Sequence, residues 1–165
     1  MEKLITGKAV LLGNNIDTDQ IYPGRFLALV EPEEIGSHCL EGIDDATRKL
    51  VHGSIVVAGT NFGCGSSREH AVITLLNAGV KAVVAETFAR IFFRNAINLG
   101  LPLITCKGIG ARVKTGQQLR LDVTVGTVTV QDTDEVIPSE KLSEHILHII
   151  EAGGIKPLFR ARHGG

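Results

Sequence analysis

The chain has 165 residues, of which 44% are hydrophobic and 21% charged, and its formal net charge is −1. This length and hydrophobic fraction suffice for one domain with a full core, and the 19 glycines predict many tight turns. Because Lys and Arg are scattered and nearly balanced by Asp and Glu, the composition argues against binding to nucleic acid or to an anionic membrane surface.

The chain also lacks the signals of a membrane protein and of a disulfide framework. No apolar run reaches the roughly 18 to 20 residues that a membrane span needs, and the first residues lack the apolar core of a signal peptide. Cys39, Cys64 and Cys106 are odd in number and far apart, which is typical of a reducing compartment. We therefore expect a soluble, cytoplasmic protein.

The N-terminal part predicts a strand, a polar loop and a helix. An apolar run at residues 7–12 is typical of a short strand, and Asn and Asp side chains suited to turns follow it. Residues 17–19 are expected in this loop, where turn formation alone would explain them. After an apolar stretch at residues 26–30, the Glu-Pro-Glu-Glu run at 31–34 begins a helix that extends through about Cys39.

The centre of the chain predicts alternating strands and helices in βαβαβ order. The predicted strands are continuous in apolar character, which indicates that both faces of a parallel sheet are covered by helices. The segments are strands at 55–58, 82–85 and 101–105, a helix at about 68–77 before Gly79, and a helix at about 88–99 before Gly100.

The C-terminal part predicts a hairpin followed by a helix. Residues 119–125 and 127–130 alternate apolar and polar side chains about Gly126, which favours two paired strands. Residues 139–152 carry an apolar stripe of helical spacing and end at two glycines. With no internal repeat or linker, we expect one α/β domain over residues 1–165, with its core at about 8–154.

The segment richest in polar chemistry is residues 61–70, which read Asn-Phe-Gly-Cys-Gly-Ser-Ser-Arg-Glu-His. It lies between a predicted strand and a predicted helix, where unpaired backbone N–H groups favour anions. Gly63 and Gly65 let the backbone approach a ligand closely. The hydroxyls of Ser66 and Ser67 and the guanidinium of Arg68 would then converge on a carboxylate-sized or phosphate-sized spot.

This turn has three possible chemical interpretations and one structural interpretation. A phosphate loop is disfavoured because the Gly-Lys-Ser/Thr ending is absent, and a hydrolase nucleophile because Gly-x-Ser-x-Gly is absent. A carboxylate site remains, since Arg binds carboxylates in a bidentate manner and a Ser oxygen facing backbone N–H donors is stabilised as an alkoxide. A purely structural turn also stays open.

The remaining polar residues allow both structural and functional interpretations. Glu69 suits the first turn of a helix and would orient Arg68, while His70 is either a general acid or a hydrogen-bonded core residue. Cys64 is either a small residue filling a tight turn or a reactive thiol. The histidines lack metal-ligand spacing, and iron–sulfur ligands usually include close cysteine pairs, so we expect no metal on this chain.

Three segments together, residues 17–21, 63–71 and 88–95, resemble the swivelling C-terminal domain of the aconitase superfamily. As a free-standing chain, the sequence is similar to the small subunits of the 3-isopropylmalate dehydratase, homoaconitase and 2,3-dimethylmalate dehydratase family, and the match runs from about residue 8 to 154. The resemblance implies a swivelling β/β/α fold, with a central, mostly parallel sheet flanked by helices, and half an active site.

The resemblance also implies a partner and a reaction. The four-iron four-sulfur cluster is expected on an aconitase-like large subunit, and no cofactor on this chain. The pair would eliminate and readd water on a small hydroxy di- or tricarboxylate, with Ser66 as the base that removes a proton from carbon. Ser67 would help to hold the substrate, Arg68 would clamp a carboxylate, and Thr18 and Asp19 would line the pocket. Glu69 and His70 would support these residues from behind.

A loop at Phe26-Leu27-Ala28-Leu29 bears on the substrate. Homoaconitase-type small subunits place an Arg here against an extra carboxylate, whereas Ala28 and Leu29 suit an alkyl group. We therefore expect a small subunit that isomerises 2-isopropylmalate to 3-isopropylmalate in leucine biosynthesis. A 2,3-dimethylmalate dehydratase or homoaconitase subunit, and a non-catalytic carboxylate-binding module, remain alternatives. Arg25 keeps a mixed specificity open, and self-association of the isolated chain is also left open.

Overall fold

A computed structural model gives the structure of residues 4–66 and 68–157. It contains seven strands: β1 Leu4–Leu11, β2 Ile55–Ala58, β3 Ala82–Ala85, β4 Leu103–Thr105, β5 Gln118–Asp122, β6 Thr127–Val130 and β7 Glu135–Pro138. They form one sheet in the order β4-β3-β2-β1-β5-β6-β7. In the described part of the chain, no helix has the length and apolar character that crossing a membrane requires.

The sheet is mixed, and β1 joins its two halves. Residues 9–11 of β1 pair in parallel with β2, while residues 4–8 pair antiparallel with β5. β2, β3 and β4 continue the parallel half, and β6 and β7 continue the antiparallel half. The α/β prediction is confirmed, and the antiparallel half is as large as the parallel one because β7, which the sequence did not predict, extends it.

Among the residues that the structure describes, six named α-helices connect and cover these strands. They are α1 Thr18–Ile21, α2 Pro32–Ser37, α3 Asp45–Lys49, α4 His70–Asn77, α5 Arg90–Leu99 and α6 Glu144–Glu151, with short 3₁₀ turns at Gly24–Phe26 and Ile109–Ala111. The helices at α2, α4 and α5 agree with the sequence prediction to within two residues at each end. Gly100 ends α5 in the left-handed conformation, at φ 93°, as a C-terminal glycine should.

Two sequence predictions on helices were wrong. Thr18 and Asp19, expected in a loop, lie in the one-turn helix α1, whereas Asp17 is its N-cap residue. The helix forms because the Asp17 side chain accepts the Gln20 N–H and the Gln20 side chain accepts the Asp17 N–H. The last helix begins at Glu144, after the N-cap Ser143, rather than at residue 139. The preceding residues instead bond to strand ends, as the Leu142 N–H does to the Val123 carbonyl at 2.9 Å.

The core lies on both faces of the parallel strands, because side chains alternate along each strand. Ile55 and Val57 of β2 face one apolar cluster, which the antiparallel strands and α6 complete. Val56 and Ala58 face the other, which α4 and α5 complete. The result is three layers of helices, parallel strands and curled antiparallel strands. Because parallel strands all end at one edge, the loops after β1, β2 and β3 lie together there.

Candidate functional site

Three loops meet at the carboxyl edge of the parallel strands and are bonded to one another through backbone groups. The Thr18 N–H donates to the Cys64 carbonyl at 2.8 Å, which joins the first loop to the second. The Ala89 N–H donates to the Phe62 carbonyl at 2.9 Å, which joins the second loop to the third. The turn that carries Ser66 is therefore fixed between α1 and the start of α5.

Two glycines permit this close approach. Gly63 has φ +87°, and a Cβ there would lie 2.2 Å from the Phe92 ring carbon Cγ. Gly65 has φ +101°, and a Cβ there would lie 3.2 Å from the Thr18 hydroxyl oxygen. Any other residue type would be strained at both positions, and at Gly63 it would also overlap the aromatic ring.

Ser66 lies on the exposed side of this turn. Its hydroxyl oxygen accepts the Arg68 N–H at 3.2 Å, and its own N–H donates to the Thr18 hydroxyl oxygen at 3.0 Å. The helix α4 begins at His70, so Ser66 precedes the helix instead of lying in its first turn. The sequence analysis expected several backbone donors around the Ser66 oxygen, and among the described residues one is found. Ser67, its predicted companion, lies outside the described residues.

Arg68 lies close to the carboxylate of Asp19. The Arg68 Nη2 atom lies 3.8 Å from the Asp19 Oδ1 atom, and the Asp19 side chain is 70% exposed. The same carboxylate oxygen accepts the Gly24 N–H at 2.9 Å, so Asp19 also fixes the start of the predicted specificity loop. An exposed pair at this distance stabilises little, so the guanidinium remains available to an incoming carboxylate.

The predicted supporting residues take different positions. Glu69 is the exposed N-cap residue of α4, and its carbonyl accepts the N–H groups of Val72 and Ile73. The His70 ring stacks on the buried Tyr22 ring with centroids 6.0 Å apart. Burial, followed by the charge of Glu34, raises the pKa of Tyr22, and its hydroxyl stays a donor. His70 thus packs directly behind the first loop.

The predicted specificity loop is anchored through Phe26. Its ring stacks on the His38 ring at 3.7 Å between centroids, and the Arg25 guanidinium lies over it at 4.6 Å. The Tyr22 hydroxyl donates to the Phe26 carbonyl at 2.7 Å. In this loop Ala28 is exposed, and Leu27 and Leu29 are half-buried. Sequence reasoning missed Tyr22 and His38, since their contacts to the loop have no local signature.

The cysteines cannot hold a common metal cluster. Cys39 lies in the apolar cluster on the helix side of the sheet, and Cys106 in the cluster on the other side. Cys64 lies half-buried in the glycine turn. Within residues 4–66 and 68–157 there is also no group of three or more His, Cys, Asp or Glu side chains suited to a metal ion. The described residues therefore do not fit an iron–sulfur cluster.

A cavity of about 590 Å³ lies away from this edge, between α2, α3 and the C-terminal end of α4. Arg48, His52 and Asn77 are among the residues that line it. The sequence analysis had not singled these residues out. The carboxylates of Glu33 and Asp45 and the cations of Arg48 and Lys49 also line the cavity, so neither charge is in excess there.

The sequence was compared with protein families and with known proteins, and similar proteins were found. Residues 40–108 match the model of the aconitase C-terminal domain. The isopropylmalate/citramalate isomerase small subunit of Methanocaldococcus jannaschii is 47% identical over 98% of this chain and 97% of its own length. The 3-isopropylmalate dehydratase small subunit 1 of Methanopyrus kandleri is 47% identical over 97% of this chain and 95% of its own.

Solved structures of two other proteins superpose on this chain. The crystal structure of a 3-isopropylmalate dehydratase from Methanocaldococcus jannaschii superposes with a TM-score of 0.91, at 40% identity over 97% of this chain and 95% of that one. Aconitase X of Thermococcus kodakaraensis superposes with a TM-score of 0.51 at 21% identity over 82% of this chain and 89% of that one. The latter likeness concerns the fold alone.

The burial of the thiols predicts their order of reactivity. Burial raises the pKa of Cys39 to about 12 and that of Cys106 to about 11, so little thiolate forms near pH 8, whereas Cys64 is partly accessible. We expect a small alkylating reagent to modify Cys64 first in the native protein, as followed by peptide mass spectrometry. Cys64→Ser is the control that should abolish this fast phase. Equally fast modification of Cys39 or Cys106 would contradict the prediction.

Proposed function

The chain belongs to the aconitase C-terminal domain family, and from this membership we propose that it is the small subunit of a two-subunit hydro-lyase. Its reaction is the isomerisation of 2-isopropylmalate to 3-isopropylmalate, in leucine biosynthesis, by elimination and readdition of water. The relatives named as small subunits of this enzyme match almost the whole chain at 47% identity. The observation that carries the proposal is that Ser66 and Arg68 occupy one fixed turn at an open edge of the sheet.

An open edge suits half an active site. A carbon acid as weak as an alkyl malate needs a site without bulk water, and Ser66 in this chain is exposed. We propose that an aconitase-like large subunit covers this edge and carries the four-iron four-sulfur cluster. That cluster would supply a Lewis acid for the departing hydroxyl group. This chain contributes the base, the carboxylate clamp and the wall around the substrate's substituent.

Ser66 is proposed as the base of the elimination. Its oxygen, deprotonated before the substrate reacts, takes the proton from the carbon next to a carboxylate and becomes a hydroxyl again. The electron pair of the broken C–H bond forms the carbon–carbon double bond, and the substrate's hydroxyl group leaves the neighbouring carbon as hydroxide, which a proton from a general acid of the large subunit would convert to water. Readdition runs in the opposite sense with the positions of proton and hydroxyl exchanged. The Arg68 N–H, which donates to the Ser66 oxygen at 3.2 Å, stabilises the oxygen after it has lost its own proton.

Arg68 is proposed as the clamp for a substrate carboxylate. A guanidinium forms two parallel bonds to a carboxylate and so orients it as well as binding it. Asp19 carries a like charge to the substrate, which disfavours direct contact between the two. Its 3.8 Å approach to Arg68 and its bond to Gly24 support a role in holding the clamp and the specificity loop in register.

Leu27, Ala28 and Leu29 are proposed to face the substrate's alkyl group. An apolar wall accepts an isopropyl or a methyl group, and the name of the Methanocaldococcus relative includes both isopropylmalate and citramalate. The wall disfavours a homoaconitase, whose substrate has an extra carboxylate. A non-catalytic binding module is disfavoured because base and clamp occur together. We further propose a single domain over residues 1–165, a cytoplasmic location, and no binding to nucleic acid or membranes.

Base and clamp should respond differently to substitution. In the assembled two-subunit enzyme, Ser66→Ala should lower kcat by several orders of magnitude and leave KM nearly unchanged, because the base acts only in the transition state. Arg68→Lys should also raise KM, since an ammonium cannot form two parallel bonds. Steady-state kinetics on 2-isopropylmalate checks both, with Ser37→Ala, an exposed serine on α2, as the control. Near-normal turnover in Ser66→Ala would remove the proposed base.

Substrate preference should follow the loop. The wild-type enzyme should prefer 3-isopropylmalate or a methylated malate to homoaconitate by roughly a hundredfold in kcat/KM, because an unpaired buried carboxylate costs about 3 kcal/mol or more. Ala28→Arg should narrow or reverse that preference. Val125→Arg, which adds the same charge at a 67% exposed position beyond β5, is the matched control and should leave it unchanged. Equal kcat/KM values in the wild type would show that the loop does not select the substituent.

A further inference from the structure

Thr18 is a polar residue that the fold buries at the site, with only 3% of its surface exposed. It begins the one-turn helix α1, and its carbonyl accepts the Tyr22 N–H at 2.9 Å. We propose that Thr18 is the positioning residue for Ser66, and that it acts on the reaction through this serine and not through contact with the substrate. The inference rests on the proposed role of Ser66 as the base.

Thr18 holds the glycine turn at two points. Its N–H donates to the Cys64 carbonyl at 2.8 Å, and its hydroxyl oxygen accepts the Ser66 N–H at 3.0 Å. The two bonds involve the peptide groups on either side of Gly65. They therefore restrain the backbone at a glycine, the residue type with the greatest conformational freedom. They also set the direction in which the Ser66 side chain leaves the backbone.

Ser66 needs such a restraint because packing does not supply one. Its side chain is exposed, and the Arg68 N–H that donates to its oxygen belongs to the same turn. Thr18, by contrast, is buried and belongs to a helix closed by the reciprocal bonds of Asp17 and Gln20. The Thr18 hydroxyl therefore ties the backbone of the exposed Ser66 to a buried residue of a capped helix. A displacement of about 1 Å between a base and its proton can lower a rate by about a hundredfold.

The burial of Thr18 also favours a role in positioning Ser66 over direct contact with the substrate. The resemblance to aconitase-type domains implied that Thr18 lines the pocket, yet its hydroxyl oxygen is directed at the Ser66 amide and lies within 3.2 Å of where a Gly65 side chain would begin. A substrate at the open edge would meet the Ser66 oxygen and the Arg68 guanidinium first. Thr18 lies one layer behind them.

Two substitutions at Thr18 test the proposal in the assembled enzyme. Thr18→Val keeps the shape of the side chain and removes the acceptor, so kcat should fall about ten- to hundredfold with KM nearly unchanged. Thr18→Ser keeps the hydroxyl and should restore most of the turnover. A rise in KM with unchanged kcat in Thr18→Val would indicate a substrate contact and overturn the proposal.

A double-mutant cycle shows whether Thr18 acts through Ser66. In the Ser66→Ala background, the further change Thr18→Val should not lower the residual turnover, because the group that Thr18 positions is already gone. Full additivity of the two losses would overturn the proposal. Thr74→Val is the matched control: Thr74 is also buried, its hydroxyl donates to the Ile35 carbonyl at 2.6 Å, and its loss should lower thermal stability without changing kcat.

Amide hydrogen exchange gives a readout that does not depend on activity. In the purified chain, the Ser66 N–H should exchange with solvent about tenfold faster in Thr18→Val than in the wild type, because this substitution removes the hydroxyl that accepts its hydrogen bond. In Thr74→Val the exchange rate of the Ser66 N–H should be unchanged. Unaltered exchange in Thr18→Val would overturn the positioning role. If Ser66→Ala instead kept its turnover, the base assignment would fail, and the exchange rates would still decide whether Thr18 holds the turn.

Discussion

The close packing of the glycine turn between α1 and α5 is the constraint on which the rest of the site depends. A side chain at Gly63 would overlap the Phe92 ring, and one at Gly65 would press on the Thr18 hydroxyl. The turn can therefore bond to the loops on both sides, and Ser66 and Arg68 receive their directions from the backbone. Since parallel strands end at one edge, the topology of the sheet makes this meeting of loops possible.

The same geometry suits the proposed role of the chain as one part of a larger enzyme. Ser66, the proposed base, lies at an exposed edge, and Arg68, the proposed clamp, is paired only weakly with Asp19. The sheet separates Cys39 from Cys106. Each of these features suits a subunit that contributes amino-acid side chains to an active site. The metal and the remaining residues of that site would come from a partner subunit. The proposed specificity loop is anchored by the stack of Phe26 on His38. The bond from the Gly24 N–H to the Asp19 carboxylate keeps the start of this loop on the same side of the molecule.

The sequence predicted the elements that depend on local pattern and missed those that depend on distant partners. β2 and β3 were predicted to the residue because every side chain in them is buried, which gives a continuous apolar run. α1 was missed because four residues show no apolar period and its capping box determines it. β7 was missed because it has only four residues and ends in Pro138, which gives too short an alternating pattern to recognise. The polar turn was found from its own residues, whereas the Thr18, Tyr22 and His38 contacts that hold the site come from elsewhere in the chain.

The most direct test of the account is reconstitution from separately purified subunits. The chain would be titrated into a fixed amount of the proposed aconitase-like large subunit, prepared with an intact iron–sulfur cluster, while isomerisation of 2-isopropylmalate is measured. The account predicts that neither subunit alone turns over the substrate, and that activity rises with added chain until the large subunit is saturated. Turnover by this chain unaided, or by the large subunit at an undiminished rate without it, would contradict the claim that the chain provides half of the active site.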